Sequence, residues 1–174
     1  MLPTRSVQHP AALQCSRNGE VQRARLTLIG TTALLENTAA RAWHALWIAA
    51  RADSIDLTWT PGGAYRDLGE QADLFFRRWS QAYAPGESVT WAGRKWYRVP
   101  GTARAAVPGT STHGWGLALD MALGEFPYLA TSITPHLPWM IEHAPRFGWF
   151  WESQSEPWQL NYCAGDAIPQ PVLD

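Results

Sequence analysis

The chain has 174 residues and a mass of 19.4 kDa, the size of one ordinary domain that can close a core without disulfide or metal staples. Its 14 Lys and Arg nearly balance 15 Asp and Glu, which excludes the basic footprint expected of a nucleic-acid or anionic-membrane binder. No apolar run approaches the length that spans a bilayer and no signal-like apolar stretch follows Met1–Ser6, so the expectation is a soluble chain without a visible export signal.

Eleven tryptophans are many for this length; most are expected in the core, with a minority free to line a groove. Cys15 and Cys163 lack metal-ligand spacing and read as two free thiols.

Residues 1–37 show only a weak pattern and are expected to form an arm or leading turns around a domain spanning 38–174. From Thr38, the spacing of Ala39, Trp43, Leu46, Trp47 and Ala50 predicts an amphipathic helix over 38–52, capped by Asn37 or Thr38. His44 beside that stripe reads as a boundary residue. Ile55, Leu57 and Trp59 alternate as a strand does, ending at Thr60-Pro61-Gly62-Gly63. Asp67 followed by Glu70 is a capping box that opens a helix with the stripe Gln71, Leu74, Phe75 and Trp79.

Val89–Trp91 and Trp96–Val99 predict a hairpin, and Pro100-Gly101 and Pro108-Gly109 bracket an irregular loop placed to shape an entrance. Leu117, Leu119 and Met121 alternate through a further strand. Pro138–Phe147 reads as a helix ended by Gly148, and Trp149–Trp151 and Trp158–Tyr162 as short strands. This order of elements predicts an α+β domain, a mainly antiparallel sheet flanked by helices, with no internal repeat.

The densest chemistry lies at Ser111-Thr112-His113-Gly114-Trp115-Gly116-Leu117-Ala118-Leu119-Asp120. Residues seven apart on one strand face opposite ways, so His113 and Asp120 can converge only if His113 sits on irregular backbone, which Gly114 and Gly116 permit. Asp120 ends an apolar alternation, where a carboxylate is costly unless paired or bound to a cation; an imidazole nitrogen and a carboxylate oxygen suit zinc. Downstream, Glu156 in Glu156-Pro157-Trp158-Gln159 reads as a general base or, alone, as a solvated turn carboxylate. Arg66 carries a fork suited to a carboxylate or a carbonyl oxygen gaining charge, and equally to a surface bridge with Asp67 or Glu70.

Taken together, Ser111 to Asp120 fits a Ser-x-His-x-x-Gly-x-Ala-x-Asp signature, Tyr65-Arg66 with Gln71 resembles a Tyr-Arg…Gln element, and Glu156-Pro157-Trp158 completes the set. Over about residues 38 to 165 the chain resembles the D-alanyl-D-alanine carboxypeptidases of vancomycin-resistance type and related phage endolysin peptidases. The resemblance implies the small zinc D,D-peptidase fold shared with the hedgehog signalling domain and a Zn2+ cofactor. His113 and Asp120 become metal ligands, Glu156 the general base and Arg66 the stabiliser of the oxyanion, with Ser111, Tyr65, Gln71 and Trp158 on the substrate side. The partners implied are peptidoglycan stem peptides, and a wall peptidase without an export signal points to delivery by a phage, from the host cytoplasm at lysis or on a virion among tail proteins.

One position departs from this pattern. Three residues after the glutamate the family carries a histidine, its third zinc ligand, and this chain carries Gln159. An amide oxygen is a harder donor outside the usual zinc set, so weakened zinc binding is expected. The readings open at this point are a peptidase using Gln159 or a substitute such as His136 or His143, a wall-peptide-binding or structural phage component of the same fold, and a chain altered to trap substrate.

Overall fold

The computed structural model describes residues 1–122 and 136–173. A first hairpin pairs β1 (Leu26–Ile29) with β2 (Ala33–Glu36), Leu26 facing Glu36. It lies where only a weak pattern was readable, because β1 does not alternate cleanly: Thr27 and Leu28 are both exposed between buried Leu26 and Ile29. α1 (Asn37–Ala52) follows directly. Its cap is neither Asn37 nor Thr38 but Glu36, whose carboxylate accepts from the Thr38 and Ala39 amides. Residues 55–59 form no regular strand; Trp59 makes one bridge to Met121, and Thr60 donates to the Asp120 carbonyl.

The capping box at Asp67 and Glu70 opens α2 (Leu68–Arg78) as the spacing predicts. Trp79, expected at the end of the helical stripe, instead starts the two-residue β3 (Trp79–Ser80). β3 joins the hairpin of β4 (Ser88–Trp91) and β5 (Arg94–Arg98) in the order β3-β5-β4, all antiparallel. The hairpin turn is tighter than expected, just Ala92-Gly93, both at positive φ, the geometry that matches strand twist.

The central sheet carries β6 (Ala118–Asp120), β7 (Trp149–Trp151) and β8 (Gln159–Tyr162) in the order β6-β8-β7, again antiparallel. Thr4 adds a parallel bridge beside Trp151 at its edge. Between β6 and β7, α3 (His136–His143) is already helical two residues before the expected start, and a 3-10 turn over Ala144–Phe147 ends at Gly148. A short α4 (Gln170–Leu173), not signalled by the sequence pattern, closes the described chain.

The main core packs the buried face of α1, Ala39, Trp43, Leu46 and Ala50, on Leu117, Leu119, Trp149, Trp151, Leu160 and Tyr162 of the central sheet region. Leu2, Leu13, Val21, Leu26 and Leu35 from the first 36 residues join that core. A smaller cluster under the second sheet holds Phe75, Trp79 and Ala105, with Trp91 and Trp96 against them. Both clusters leave the mouth between the two sheets polar, and the chemistry-bearing residues gather there.

Candidate active site

His113 and Asp120 reach this mouth by different routes. His113 sits in a 3-10 turn over Thr112–Trp115, capped by the Ser111 hydroxyl, which accepts from the His113 amide. Gly116 ends the turn at φ 70, and any Cβ there would come within 2.7 Å of the Glu36 amide nitrogen, which donates to the Gly116 carbonyl. Asp120 closes β6, where its amide donates to Gly63 O at 2.7 Å. The irregular backbone demanded by the seven-residue spacing is therefore present, on the histidine side.

The two side chains face each other with His113 Nε2 3.4 Å from Asp120 Oδ1. His113 is 2% exposed, and neither of these buried atoms has a hydrogen-bond partner among the described residues. The other ring nitrogen, Nδ1, lies 2.8 Å from the Ala64 carbonyl. A carbonyl only accepts, so Nδ1 carries the hydrogen and Nε2 is the ring nitrogen turned toward Asp120. A ring nitrogen and a carboxylate oxygen facing each other in a buried place are satisfied by a cation shared between them, a proton on the ring or a divalent metal, and one nitrogen with one oxygen suits the latter. Among the described residues no group of three or more His, Cys, Asp or Glu gathers around them; His113 and Asp120 themselves are a nitrogen and an oxygen donor of the types that zinc accepts.

Arg66 lies on the other side of Asp120, its Nη1 3.8 Å from Asp120 Oδ2, both side chains largely buried. Its Nε donates to Gln71 Oε1 at 3.1 Å, and Gln71 Nε2 donates to the Ala106 carbonyl at 2.8 Å. Gln71 is 2% exposed, so it holds Arg66 from behind and anchors the loop before Ser111. Glu156 is half-buried across the mouth. Burial first, then the charges of Asp120 and Glu152, push its carboxyl above the ordinary range, against a smaller opposing pull from Arg104 and His113. The resulting groove, about 480 Å3, is lined by Arg66, Ser111, His113, Asp120, Glu156, Trp158 and Gln159 among others.

Residues 32–165, more than half of the chain, match the family model described as VanY, D-alanyl-D-alanine carboxypeptidase. The chain belongs to the VanY family. Membership places it among carboxypeptidase-type peptidases. A vancomycin-resistance D,D-pentapeptidase VanY mutant from a VanB-type cassette, solved in complex with Zn(II), is 21% identical over 100% of this chain and 93% of that one, with a TM-score of 0.57. VanYB in complex with D-alanine-D-alanine is also 21% identical, over 96% of this chain and 87% of its own, with the same TM-score of 0.57. The LdcB LD-carboxypeptidase, described for its peptidoglycan recognition, is 19% identical over 89% of this chain and 73% of its own, TM-score 0.57. These likenesses share the α+β fold. No curated protein sequence matches the chain.

Within this VanY-type frame the expected site residues divide in two groups. Arg66, Ser111, His113, Asp120, Glu156, Trp158 and Gln159 all line the groove. Tyr65 and Gln71 do not line it: the Tyr65 hydroxyl accepts from the Val21 amide at 3.2 Å, tying the N-terminal segment to the site wall. His136 and His143 do not line it either; the His143 ring stacks on Trp139 with centroids 4.2 Å apart. Glu152 and Thr112, which no motif singled out, are groove residues, and Asn161 stands directly behind them. The strand pattern over 149–151 and 158–162 is the signal that could have found Glu152, because pairing of Trp151 with Leu160 sets residue 152 beside residue 159.

Proposed function

We propose that this VanY-family chain is a zinc-dependent peptidase of peptidoglycan stem peptides, cutting the D-alanyl-D-alanine bond or a related stem-peptide bond. The observation that carries the reading is the pair of buried atoms His113 Nε2 and Asp120 Oδ1, 3.4 Å apart and without a hydrogen-bond partner among the described residues, with Glu156 and Arg66 around the same groove. A relative of the same fold is described with Zn(II) and another with D-alanine-D-alanine, which supports the choice of metal and substrate class.

His113 and Asp120 would hold the zinc, whose chemistry here is Lewis-acid polarisation of a carbonyl and acidification of water. Glu156 takes the proton of the attacking water and returns it to the leaving amine, and its raised carboxyl pKa brings it closer to the pH at which that exchange is efficient. Arg66, aligned by Gln71, aims positive charge at the carbonyl oxygen as it becomes an oxyanion, a contribution of about 3 to 4 kcal/mol for one fixed donor. Ser111 and Trp158 stand along the groove where the peptide backbone lies.

Gln159 favours a second reading, a groove that grips the stem peptide without cutting it. Incubating the protein with purified stem peptides and zinc, and following products by mass spectrometry, separates the two. Cleavage that stops with a chelator and with Glu156→Ala is expected; peptide binding with no product under any metal would establish the binding module instead.

A further inference from the structure

The central sheet places three polar side chains in one row. β6 pairs with β8 so that Asp120 faces Gln159, and β7 pairs with β8 so that Trp151 faces Leu160, which brings the next residue, Glu152, to the far side of Gln159. Along β8, Asn161 points the same way as Gln159, two residues on. Asn161 is completely buried and must find partners inside the protein.

Those partners form a directed chain. Asn161 Nδ2 donates to Glu152 Oε2 at 3.3 Å, and Gln159 Nε2 lies 3.4 Å from the same carboxylate oxygen. Gln159 Nε2 also lies 3.3 Å from Asn161 Oδ1 and 3.3 Å from Thr112 Oγ1. An ionised carboxylate accepts only. Both amides must therefore turn their NH2 groups to Glu152, and the second Gln159 hydrogen is shared between the Asn161 and Thr112 oxygens. Every hydrogen bond described for the Gln159 side chain runs through its nitrogen, and the row continues on its other side to Asp120.

We infer that Glu152 and Asn161 are positioning residues that lock the Gln159 amide with its carbonyl oxygen toward the His113–Asp120 pair, making Gln159 the third protein donor of the cation site. This rests on the metal reading above. It assigns the chain a one-nitrogen, two-oxygen donor set, harder than a set with a second imidazole, so its preference for Zn2+ over Mn2+ is narrower. The network takes the place that a partner of a ligating histidine's second nitrogen holds in other metal sites: it orients the donor.

The test is a double-mutant cycle on metal affinity. Dissociation constants for Zn2+ and Mn2+, and the visible absorption of bound Co2+, are measured on the whole chain, on Glu152→Gln, on Gln159→Ala, on the pair combined and on His113→Ala. Glu152 is exposed, so its amide variant is expected to fold, which circular dichroism checks. The unaltered chain should bind one ion, and His113→Ala should lose it. Glu152→Gln should weaken binding about 10- to 100-fold, as loss of an orienting partner does, and move the Co2+ spectrum toward that of Gln159→Ala, yet cost nothing more in the Gln159→Ala background. An equal loss in both backgrounds would mean that Glu152 acts by charge alone and would overturn the inference while leaving the metal site standing. No bound ion, or an ion held as tightly by His113→Ala, would overturn the metal reading and the inference together.

Discussion

His113 Nε2 and Asp120 Oδ1 oppose each other at 3.4 Å with no other hydrogen-bond partner for either atom among the described residues. Such a pair is unfavourable in an empty, neutral state and is relieved by a cation. Removing one member should therefore do two opposite things. His113→Ala should reduce stem-peptide hydrolysis about 10^3-fold or more, the loss of several kcal/mol of charge stabilisation, and chelation of the unaltered protein should reproduce that loss. Without metal, Asp120→Asn should cost little folding stability, because it replaces a buried acceptor with a group that can donate to His113 Nε2. Thermal melts in chelator, set beside rates in zinc, check both halves.

Gln159 is the position where a stronger donor can be installed. It sits opposite Asp120 in the β6–β8 register, so Gln159→His would present an imidazole from the same strand. Zinc affinity is expected to rise by about tenfold or more, equivalent to about 1.4 kcal/mol, with a matching rise in the rate at limiting zinc. Equilibrium dialysis against zinc and a progress curve at fixed metal would show it. A fall in affinity would mean that the amide network, and not the donor type, dominates the site.

The acid limb of the pH–rate profile should belong to Glu156. Burial, Asp120 and Glu152 raise its pKa, and the base works only when ionised, so the rate should climb at a pH above the ordinary glutamate range. Glu152→Gln removes one of the negative charges that disfavour ionisation. The limb should then shift to lower pH at saturating zinc, while Glu156→Ala removes it altogether. An upward shift in Glu152→Gln would contradict the charge account.

The site was more legible in the sequence than the scaffold that tunes it. Gly114 and Gly116 after His113 announce irregular backbone, so its convergence with Asp120 could be argued from spacing alone. The Asp67–Glu70 box likewise marks the start of α2 because both halves of the cap are local. Glu152 and Asn161 were invisible for the opposite reason: they matter through a register between strands, and register is set by tertiary pairing. The β1–β2 hairpin escaped because Leu28 is exposed at 48% and breaks the alternation. The cap of α1 escaped because glutamate is not among the favoured capping residues, and Glu36 serves only because the fold buries it beside the first turn of the helix.

That buried cap makes stability depend on pH. Burial raises the Glu36 pKa, and the amide bonds from Ala39 and Thr38 offset part of the rise. Between the ordinary carboxylate value and the raised one, the folded protein holds a proton that the unfolded chain has released. Stability should accordingly fall as pH rises through that window. Glu36→Gln keeps an oxygen for the cap and removes the titration, so its melting temperature should vary less across the window. Glu36→Ala should lose the cap, at a cost of about 1 kcal/mol. Melting curves of the three proteins over the acidic range measure both effects.

Two thiols of opposite character allow a last check on how the N-terminal segment is held. Cys15 is exposed, whereas Cys163 is buried, with its pKa pushed up to about 12 chiefly by desolvation. The Cys163 thiol donates toward the carbonyls of Arg5 and Asn161, both at 3.3 Å, so the first residues of the chain cover it. The thiolate is the reactive form, and iodoacetamide in mildly alkaline buffer should modify Cys15 alone, with Cys163 reacting only after denaturation. Deleting residues 1–6 should release Cys163 to the reagent in the folded protein, because the Arg5 carbonyl and the chain beside Trp151 leave together. Peptide mapping of the alkylated protein reads both outcomes, and a Cys163 that stayed protected after the deletion would show that the central sheet alone shields it.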